Sequence, residues 1–312
     1  MQIRRLVKTG SASYTISLPK DWVERNKLKK GDILFVKENS AGEVIVTHKE
    51  KQDEQEIKEI TIEIDNKDIG TIRRETISAY INNYHLFNFI GKTLNEKLPE
   101  VRKILDNFLA LEIQEQTTTK LSAKDFLNLD EFSVNNTIRR MDMLNRSMLL
   151  DCKKVFKGEK ISESLRYRDF ELDKLFFLMS RLIRSALSNQ QKAKAFKITN
   201  VEALSLWNIA KNIERVADST KNLAKVLEEH DKKDIRNFEN MFASLGDYYL
   251  KTIKAFFTND RKLADRVIAE KEDIEKEIDA LKVTAKNYKV IDNLRQLATN
   301  IRNIGKIVLD FE

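Results

Sequence analysis

The chain has 312 residues, of which 34% are charged, and it carries a formal net charge of +7. Its single cysteine, Cys152, excludes an internal disulfide, and no run approaches the roughly 18 apolar residues that a membrane span requires. The first residues lack the apolar core of a signal peptide, so we expect a cytoplasmic protein without membrane insertion. The positive charge is compatible with a polyanionic partner but does not by itself demonstrate one.

Residues 1–50 are predicted to form a small domain rich in β-structure. Four β-prone runs lie around one short helical segment that begins after Pro19, namely Ile3–Val7, Tyr14–Leu18, 33–38 and 43–48. These runs predict two hairpins. So short a segment cannot bury a core alone, and it has neither a disulfide nor a cluster of metal ligands. We therefore expect it to dimerise.

The turn motifs of this segment are specific. The first motif is Tyr14-Thr15-Ile16-Ser17-Leu18-Pro19-Lys20. It is followed by Trp22, then by Leu28-Lys29-Lys30-Gly31-Asp32, and then by the last two β-prone runs. In order and spacing these motifs resemble the AbrB-type swapped-hairpin family of DNA-binding domains, in the subgroup with Ser-Leu-Pro-Lys before the short helix. The resemblance implies an intertwined homodimer that presents basic loops to DNA.

The charge of residues 1–50 agrees with DNA as a partner. The segment holds ten Lys or Arg residues against six Asp or Glu residues. Arg4, Arg5 and Lys8 lie in and just after the first β-prone run, so we predict that they contact DNA phosphates, with Lys20 as the next candidate. The alternative is that these are solvated charges on a domain that only dimerises or holds a partner protein, as some antitoxins do.

Residues 51–128 are predicted to form a small α/β domain of unassigned role. Its expected elements are a strand at 60–64, a helix at Gly70–Asn83, a strand at Tyr84–Ile90, a helix at Pro99–Leu109 and a strand or hairpin at 111–122. The segment has no phosphate-binding glycine loop and no clustered catalytic residues. A scaffold is therefore favoured over a ligand sensor.

Residues 129–312 are predicted to be helical throughout. Apolar residues recur at three- and four-residue steps from Leu206 to Leu227 and again from Val290 to Val308, which is typical of the inward faces of a helical bundle. Breaks in the pattern divide the region into six helices in two sets of three, about 129–230 and 231–312. The fold class is thus α+β multidomain, with two three-helix bundles after a small swapped-hairpin β-domain and a small α/β domain.

The two sets of helices show an internal duplication. Asp169–Leu175 is similar to Glu275–Leu281 in the second helices, and Asn212–Asp218 aligns with Asn300–Lys306 in the third helices. This repeated unit, with Glu214-Arg215-Val216-Ala217-Asp218 in one third helix, resembles the PhoU family of phosphate-uptake regulators over about residues 130–312. The resemblance implies control of phosphate transport through contacts with a transporter or a sensor kinase.

Carboxylate pairs in that family are associated with metal clusters, so the resemblance implies a divalent, iron or zinc ion on acidic helix pairs, although nothing in the sequence requires one. Glu214 and Asp218 lie four residues apart and so share one helix face, as do Asp169 and Asp173. Glu275 and Asp279 have the same spacing. The alternative is that Glu214 and Asp218 pair with neighbouring cations such as Lys221. In the second repeat, Arg302 and Lys306 replace these two acids, which predicts the loss of a metal site there.

Catalysis is not expected. The three histidines, His48, His85 and His230, are scattered, and no phosphate loop, nucleophile elbow or dinucleotide fingerprint occurs. Two hypotheses remain. The chain is either a DNA-binding transcriptional regulator of phosphate uptake, or a protein-interaction regulator of a phosphate transporter or sensor kinase in which the AbrB-like domain only dimerises.

Overall fold

The computed structural model describes residues 3–11, 13–38, 42–48 and 57–311. The chain divides into two compact units, Met1–Glu56 and Ile57–Glu312. The predicted end of the first domain at residue 50 lies near this division. The predicted α/β domain of residues 51–128 lies mostly in the same compact unit as the helical region.

The N-terminal unit contains two short antiparallel hairpins. Its elements are β1 (Val7–Thr9), β2 (Ser13–Thr15), α1 (Lys20–Arg25), β3 (Phe35–Glu38) and β4 (Val44–Thr47). β1 pairs with β2 and β3 pairs with β4, each as a separate two-stranded sheet. The predicted hairpins and the short helix after Pro19 are confirmed.

The predicted bounds of the first two strands were wrong. β1 begins at Val7, where the prediction had a strand ending, and β2 ends at Thr15. The turn fixes this register, because Gly10 adopts a positive φ of 75° and the Ser13 hydroxyl donates to the Thr9 carbonyl over 2.6 Å. Residues 3–6 therefore precede the first strand.

A four-stranded mixed sheet with two helices opens the second unit. Its elements are β5 (Glu59–Glu63), α2 (Ile69–Ile81), β6 (Leu86–Ile90), α3 (Leu94–Leu105), β7 (Leu111–Gln116) and β8 (Lys120–Asp125). The strand order is β5-β6-β8-β7, with β5 and β6 parallel and the other pairs antiparallel. Phe87, Phe89 and Leu121 are completely buried beneath the helices. The predicted α/β unit and its C-terminal hairpin are thus present.

The predicted start of α3 was wrong by five residues, because Pro99 lies inside the helix instead of at its start. A distant carboxylate explains the earlier start. Asp65 accepts hydrogen bonds from the backbone N–H groups of Lys92 and Thr93, each over 2.9 Å, and from the Thr93 hydroxyl. These bonds lower the pKa of Asp65 to about 2 and stabilise the turn that leads into α3.

Six long helices complete the unit, as predicted. They are α4 (Val134–Cys152), α5 (Ser162–Ser188), α7 (Asn200–Glu228), α9 (Glu239–Thr258), α10 (Arg261–Asp279) and α11 (Tyr288–Leu309), with the short helices α6 (Gln190–Phe196) and α8 (Lys232–Ile235) between them. One cluster of buried apolar side chains runs through both sets of three. At the contact between α7 and α11, the Asn300 amide donates to the Arg215 carbonyl and to the Ser219 hydroxyl.

The predicted inward faces are buried, from Leu206 to Leu227 on α7 and from Val290 to Val308 on α11. Cys152 is also completely buried, and burial raises the pKa of its thiol. No helix among the described residues is long and apolar enough to cross a membrane.

Two adjacent tyrosines on α9 differ in their polar contacts. Tyr248 and Tyr249 are both completely buried, yet the Tyr249 hydroxyl donates to Asp142 of α4 over 3.0 Å, while the Tyr248 hydroxyl has no hydrogen-bond partner among the described residues. A buried hydroxyl without a partner destabilises the folded state, whereas a bonded one stabilises it modestly. The pair therefore provides a matched comparison.

We expect Tyr248→Phe to leave the free energy of unfolding unchanged or to raise it by up to about 1 kcal/mol, and Tyr249→Phe to lower it by about 1–3 kcal/mol. Urea-induced unfolding of the two variants measures the difference. Equal losses in both would contradict the assignment of the Tyr248 hydroxyl as unpartnered.

Candidate functional sites

The predicted DNA-contacting cations lie on the exposed surface of the N-terminal unit. Arg4 and Arg5 precede β1, and Lys8 lies in β1 opposite Tyr14. Lys20 is the first residue of α1, and its Nζ lies 3.6 Å from Glu24 Oε1 in an exposed pair. Such exposed pairs contribute little to stability and leave the cation accessible to a phosphate. The structure thus places Arg4, Arg5 and Lys8 along one chain segment, with Lys20 on a separate element.

The N-terminal unit has no buried side chain among its described residues. Large apolar side chains are instead exposed, including Ile3 at 87% and Ile33 at 77% of their surface, together with Val36 and Val44 on the second hairpin. Exposed apolar surface on a module of this size is typical of a face that a partner covers. The single protomer therefore lacks a core, as expected of a dimerising module.

The second candidate site lies between α5 and α7, where all four predicted acids meet. The Lys221 ammonium bonds both Asp169 of α5 and Asp218 of α7, the latter over 2.5 Å. Glu214 and Asp173 lie half-buried near this group. For Asp218 the alternative to a metal site, pairing with a neighbouring cation, is thus observed, and the pairing involves both helices.

Burial and the proximity of other carboxyl groups raise pKa values within this cluster. Burial, followed by the negative charges of Asp218 and Asp173, raises the pKa of Glu214 to about 8. Burial and the charges of Asp169 and Asp218 likewise raise the pKa of Asp173 to about 7. Burial also raises the pKa of Asp169, although the hydrogen bond and the positive charge of Lys221 partly oppose this shift.

The metal prediction is not supported by this geometry. Among the described residues, no group of three His, Cys, Asp or Glu side chains is arranged to hold a metal ion. Lys221 bonds one oxygen each of Asp169 and Asp218, so an ammonium lies where a cation would bind these two acids. One feature of the sequence indicates this ion pair: Lys221 follows Asp218 by three residues, so the two side chains lie on the same helix face.

The second repeat has different pairings. Glu275 pairs with Lys271 on its own helix, and Asp279 accepts from Arg295 of α11 over 2.6 Å. Arg302, which replaces Glu214, has a buried Nε without a hydrogen-bond partner in the part of the chain that the structure describes. The two repeats thus differ in the side-chain contacts at these positions.

His85 and His230 contact different backbone groups within the second unit. His48 lies in the N-terminal unit, while His85 accepts a hydrogen bond at Nδ1 from the Lys58 backbone over 3.3 Å. Both ring nitrogens of His230 lie against backbone carbonyls, those of Val226 at 2.7 Å and Lys286 at 2.8 Å.

One buried ion pair was missed by sequence reasoning. Arg181 of α5 donates to Asp125 at the end of β8 over 2.5 Å and to the Asn83 side chain over 2.9 Å, and its guanidinium lies 4.4 Å from the centre of the Tyr80 ring. Both members of the ion pair are almost completely buried. This pair joins the sheet to the helical bundle, and nothing in the local sequence around Arg181 indicates it.

Comparison with known families identifies two regulatory modules. Residues 7–54 match the family described as "Antidote-toxin recognition MazE, bacterial antitoxin", and residues 138–227 match the PhoU domain. The chain thus carries a MazE/AbrB-like domain ahead of a PhoU domain, which confirms the predicted arrangement. The PhoU match extends from α4 to α7, the first set of three helices. Neither family is catalytic. No curated protein and no solved structure gives a match.

Proposed function

We propose that the chain is a DNA-binding transcriptional regulator of phosphate uptake. In this proposal the N-terminal unit forms a homodimer that binds an operator, and the helical unit senses state or contacts partners. The observation that carries it is the combination of exposed apolar side chains with exposed cations on the N-terminal unit. The apolar surface supports dimerisation, and the cations support contact with phosphates.

The link to phosphate is supported by the PhoU match at residues 138–227. In a dimeric regulator, a change in the helical unit would alter DNA affinity by shifting the spacing of the two N-terminal modules. Such coupling requires two states of the protein with different affinities for DNA.

The test is DNA binding by the full chain over a salt series, using its own promoter. We expect Arg4→Ala/Arg5→Ala to weaken binding and to flatten the dependence of log K on log salt, by about one unit for each phosphate that the variant no longer neutralises. The matched control is Lys262→Ala/Arg266→Ala, which removes two exposed cations from α10. Equal slopes for both double variants would show that Arg4 and Arg5 do not contact DNA.

The second candidate is a protein-interaction regulator of a phosphate transporter or sensor kinase. It is favoured by the description of the N-terminal family as one of toxin recognition, which is a protein contact. In this case the exposed apolar surface of the N-terminal unit would dimerise or hold a partner protein without reading DNA. Absence of DNA binding by the wild-type chain at low salt, with the dimer intact, would support this candidate over the first.

A further inference from the structure

His230 follows the last turn of α7, and its ring lies between two backbone carbonyl groups. Its Nδ1 is 2.7 Å from the Val226 carbonyl oxygen, and its Nε2 is 2.8 Å from the Lys286 carbonyl oxygen. Carbonyl oxygens only accept hydrogen bonds, and a neutral imidazole carries a single N–H group. A neutral ring therefore bonds one of the two carbonyls and turns a bare nitrogen toward the other. Only the doubly protonated ring donates to both.

We propose that His230 is a pH-sensitive clamp on the loop between α10 and α11, residues 280–287. With both ring nitrogens protonated, His230 holds this α10–α11 loop against the end of α7. Loss of one proton removes a donor and releases the loop. The proposal concerns the second unit alone and does not depend on DNA binding by the first.

The two carbonyl contacts are not equivalent. Val226 lies four residues before His230 at the end of α7, and its carbonyl also accepts from the Glu229 N–H over 3.2 Å. Lys286 is 56 residues away in the chain, and its carbonyl accepts from no other donor in the described part of the chain. A neutral ring that keeps the local bond to Val226 thus releases Lys286. The carbonyl end of a helix also favours a cation, so α7 stabilises the charged ring.

The α10–α11 loop depends on this contact for its attachment to α7. The other hydrogen bonds of the loop are local, such as those from the Thr284 N–H to the Asn287 side chain over 2.8 Å and from the Asn287 amide to the Lys282 carbonyl over 2.9 Å. Among the described residues, the His230 contact is the single hydrogen bond that joins the loop to an element other than α10 and α11. Residues 282–286 are all exposed, so apolar packing does little to hold them.

The charged groups around His230 balance one another. Those that line the adjacent cavity of about 760 Å³, or that flank His230 in the chain, are Lys233, Lys282, Lys286, Glu229, Asp231 and Asp234. No carboxylate of the described chain forms an ion pair with the ring. The proton on His230 is thus held by hydrogen bonds to carbonyls and not by a salt bridge, and it can leave as the pH rises.

The test is electron paramagnetic resonance of the full chain with a spin label at Ala285→Cys in the loop. The native Cys152 is completely buried, so the label reacts at the exposed residue 285. We expect the label to tumble at least about twofold faster at pH 8 than at pH 5.5, since histidine ordinarily loses its proton between these values. The same label at Glu277→Cys, exposed on α10, is the control and should not respond. Equal mobility of the residue 285 label at both pH values would overturn the proposal.

Two histidine variants assign the response to one ring. His230→Ala removes both donors, so the label at residue 285 should be as mobile at pH 5.5 as it is at pH 8 with His230 in place. His85→Gln is the matched control and should keep the pH response, because His85 contacts the Lys58 backbone and not the loop. The melting temperature checks that both variants fold. A pH response that persists in His230→Ala would belong to another group and would also overturn the proposal.

Discussion

Replacement of Arg181 by alanine is expected to lower the free energy of unfolding by about 3–5 kcal/mol, a larger loss than we expect for Tyr249→Phe. The guanidinium is almost completely buried and holds Asp125, which is itself buried at the end of β8. Its removal leaves a carboxylate without its partner in a dry environment. Urea-induced unfolding measures the loss.

Arg184 is the matched control, because it lies one turn further along the same helix. It is exposed and donates over 2.6 Å to the Asn82 side chain, so Arg184→Ala should cost less than about 1 kcal/mol. Comparable losses in Arg181→Ala and Arg184→Ala would show that the buried pair does not stabilise the junction between sheet and bundle.

A double substitution separates the cost of an orphaned charge from the net contribution of the pair. Arg181→Met with Asp125→Leu removes both charges and keeps apolar volume, so it should recover much of the stability that Arg181→Ala loses. If the double variant is as unstable as Arg181→Ala, the guanidinium contributes chiefly through Asn83 and the Tyr80 ring.

The local elements of this fold were predictable because their signals are local. The stripe from Leu206 to Leu227 follows from three- and four-residue spacing alone, and the turn after Leu18 follows from Pro19. Both predictions depend only on residues that are close to one another in the chain. The six long helices and the two N-terminal hairpins could therefore be predicted from the sequence.

Two of the three failures came from contacts between residues distant in the chain, and the third came from a local turn. The start of α3 depends on Asp65, which caps the turn at Thr93 from 28 residues away. The register of β1 depends on a turn closed by side-chain hydrogen bonds. The pairing of Arg181 with Asp125 spans 56 residues. Periodicity carries no information about such partners, because a buried arginine has the same residue type as an exposed one.

The candidate site was predicted in its members but not in its chemistry. The spacing of Asp169, Asp173, Glu214 and Asp218 indicated that two helices present acids, and the structure brings all four together. Lys221 lies between the helices because their packing brings Asp169 of α5 next to Asp218 of α7. The same packing partly buries Glu214, and this burial raises the pKa of its carboxyl group.

Glu214→Gln is expected to change the pH dependence of stability. The folded-state pKa of Glu214, about 8, lies above the ordinary value of 4.5, so the folded chain binds this proton more tightly than the unfolded chain. The resulting stabilisation is fully present below pH 4.5 and is lost as the pH rises through 8. In the wild type, the free energy of unfolding should therefore fall between about pH 5 and pH 9.

Glutamine stays neutral throughout this range and resembles the protonated acid. Glu214→Gln should match the wild type at pH 5 and exceed its stability at pH 9 by about 2 kcal/mol, a value reduced from the full shift because solvent reaches part of the cluster. Thermal unfolding at a series of pH values measures this, and Glu277→Gln at an exposed position on α10 is the control. Parallel pH profiles for wild type and Glu214→Gln would contradict the raised pKa.

Repeating the pH series with an added divalent cation distinguishes proton binding from metal binding at this cluster. Because Lys221 already binds Asp169 and Asp218, manganese chloride should leave the melting temperature of the wild type unchanged at pH 8. A cation that displaced Lys221 would instead stabilise the folded state by mass action, and more strongly at high pH, where the carboxyl groups are free of protons. A rise in melting temperature that Glu214→Gln abolishes would restore the metal prediction, since the glutamine removes a carboxylate ligand.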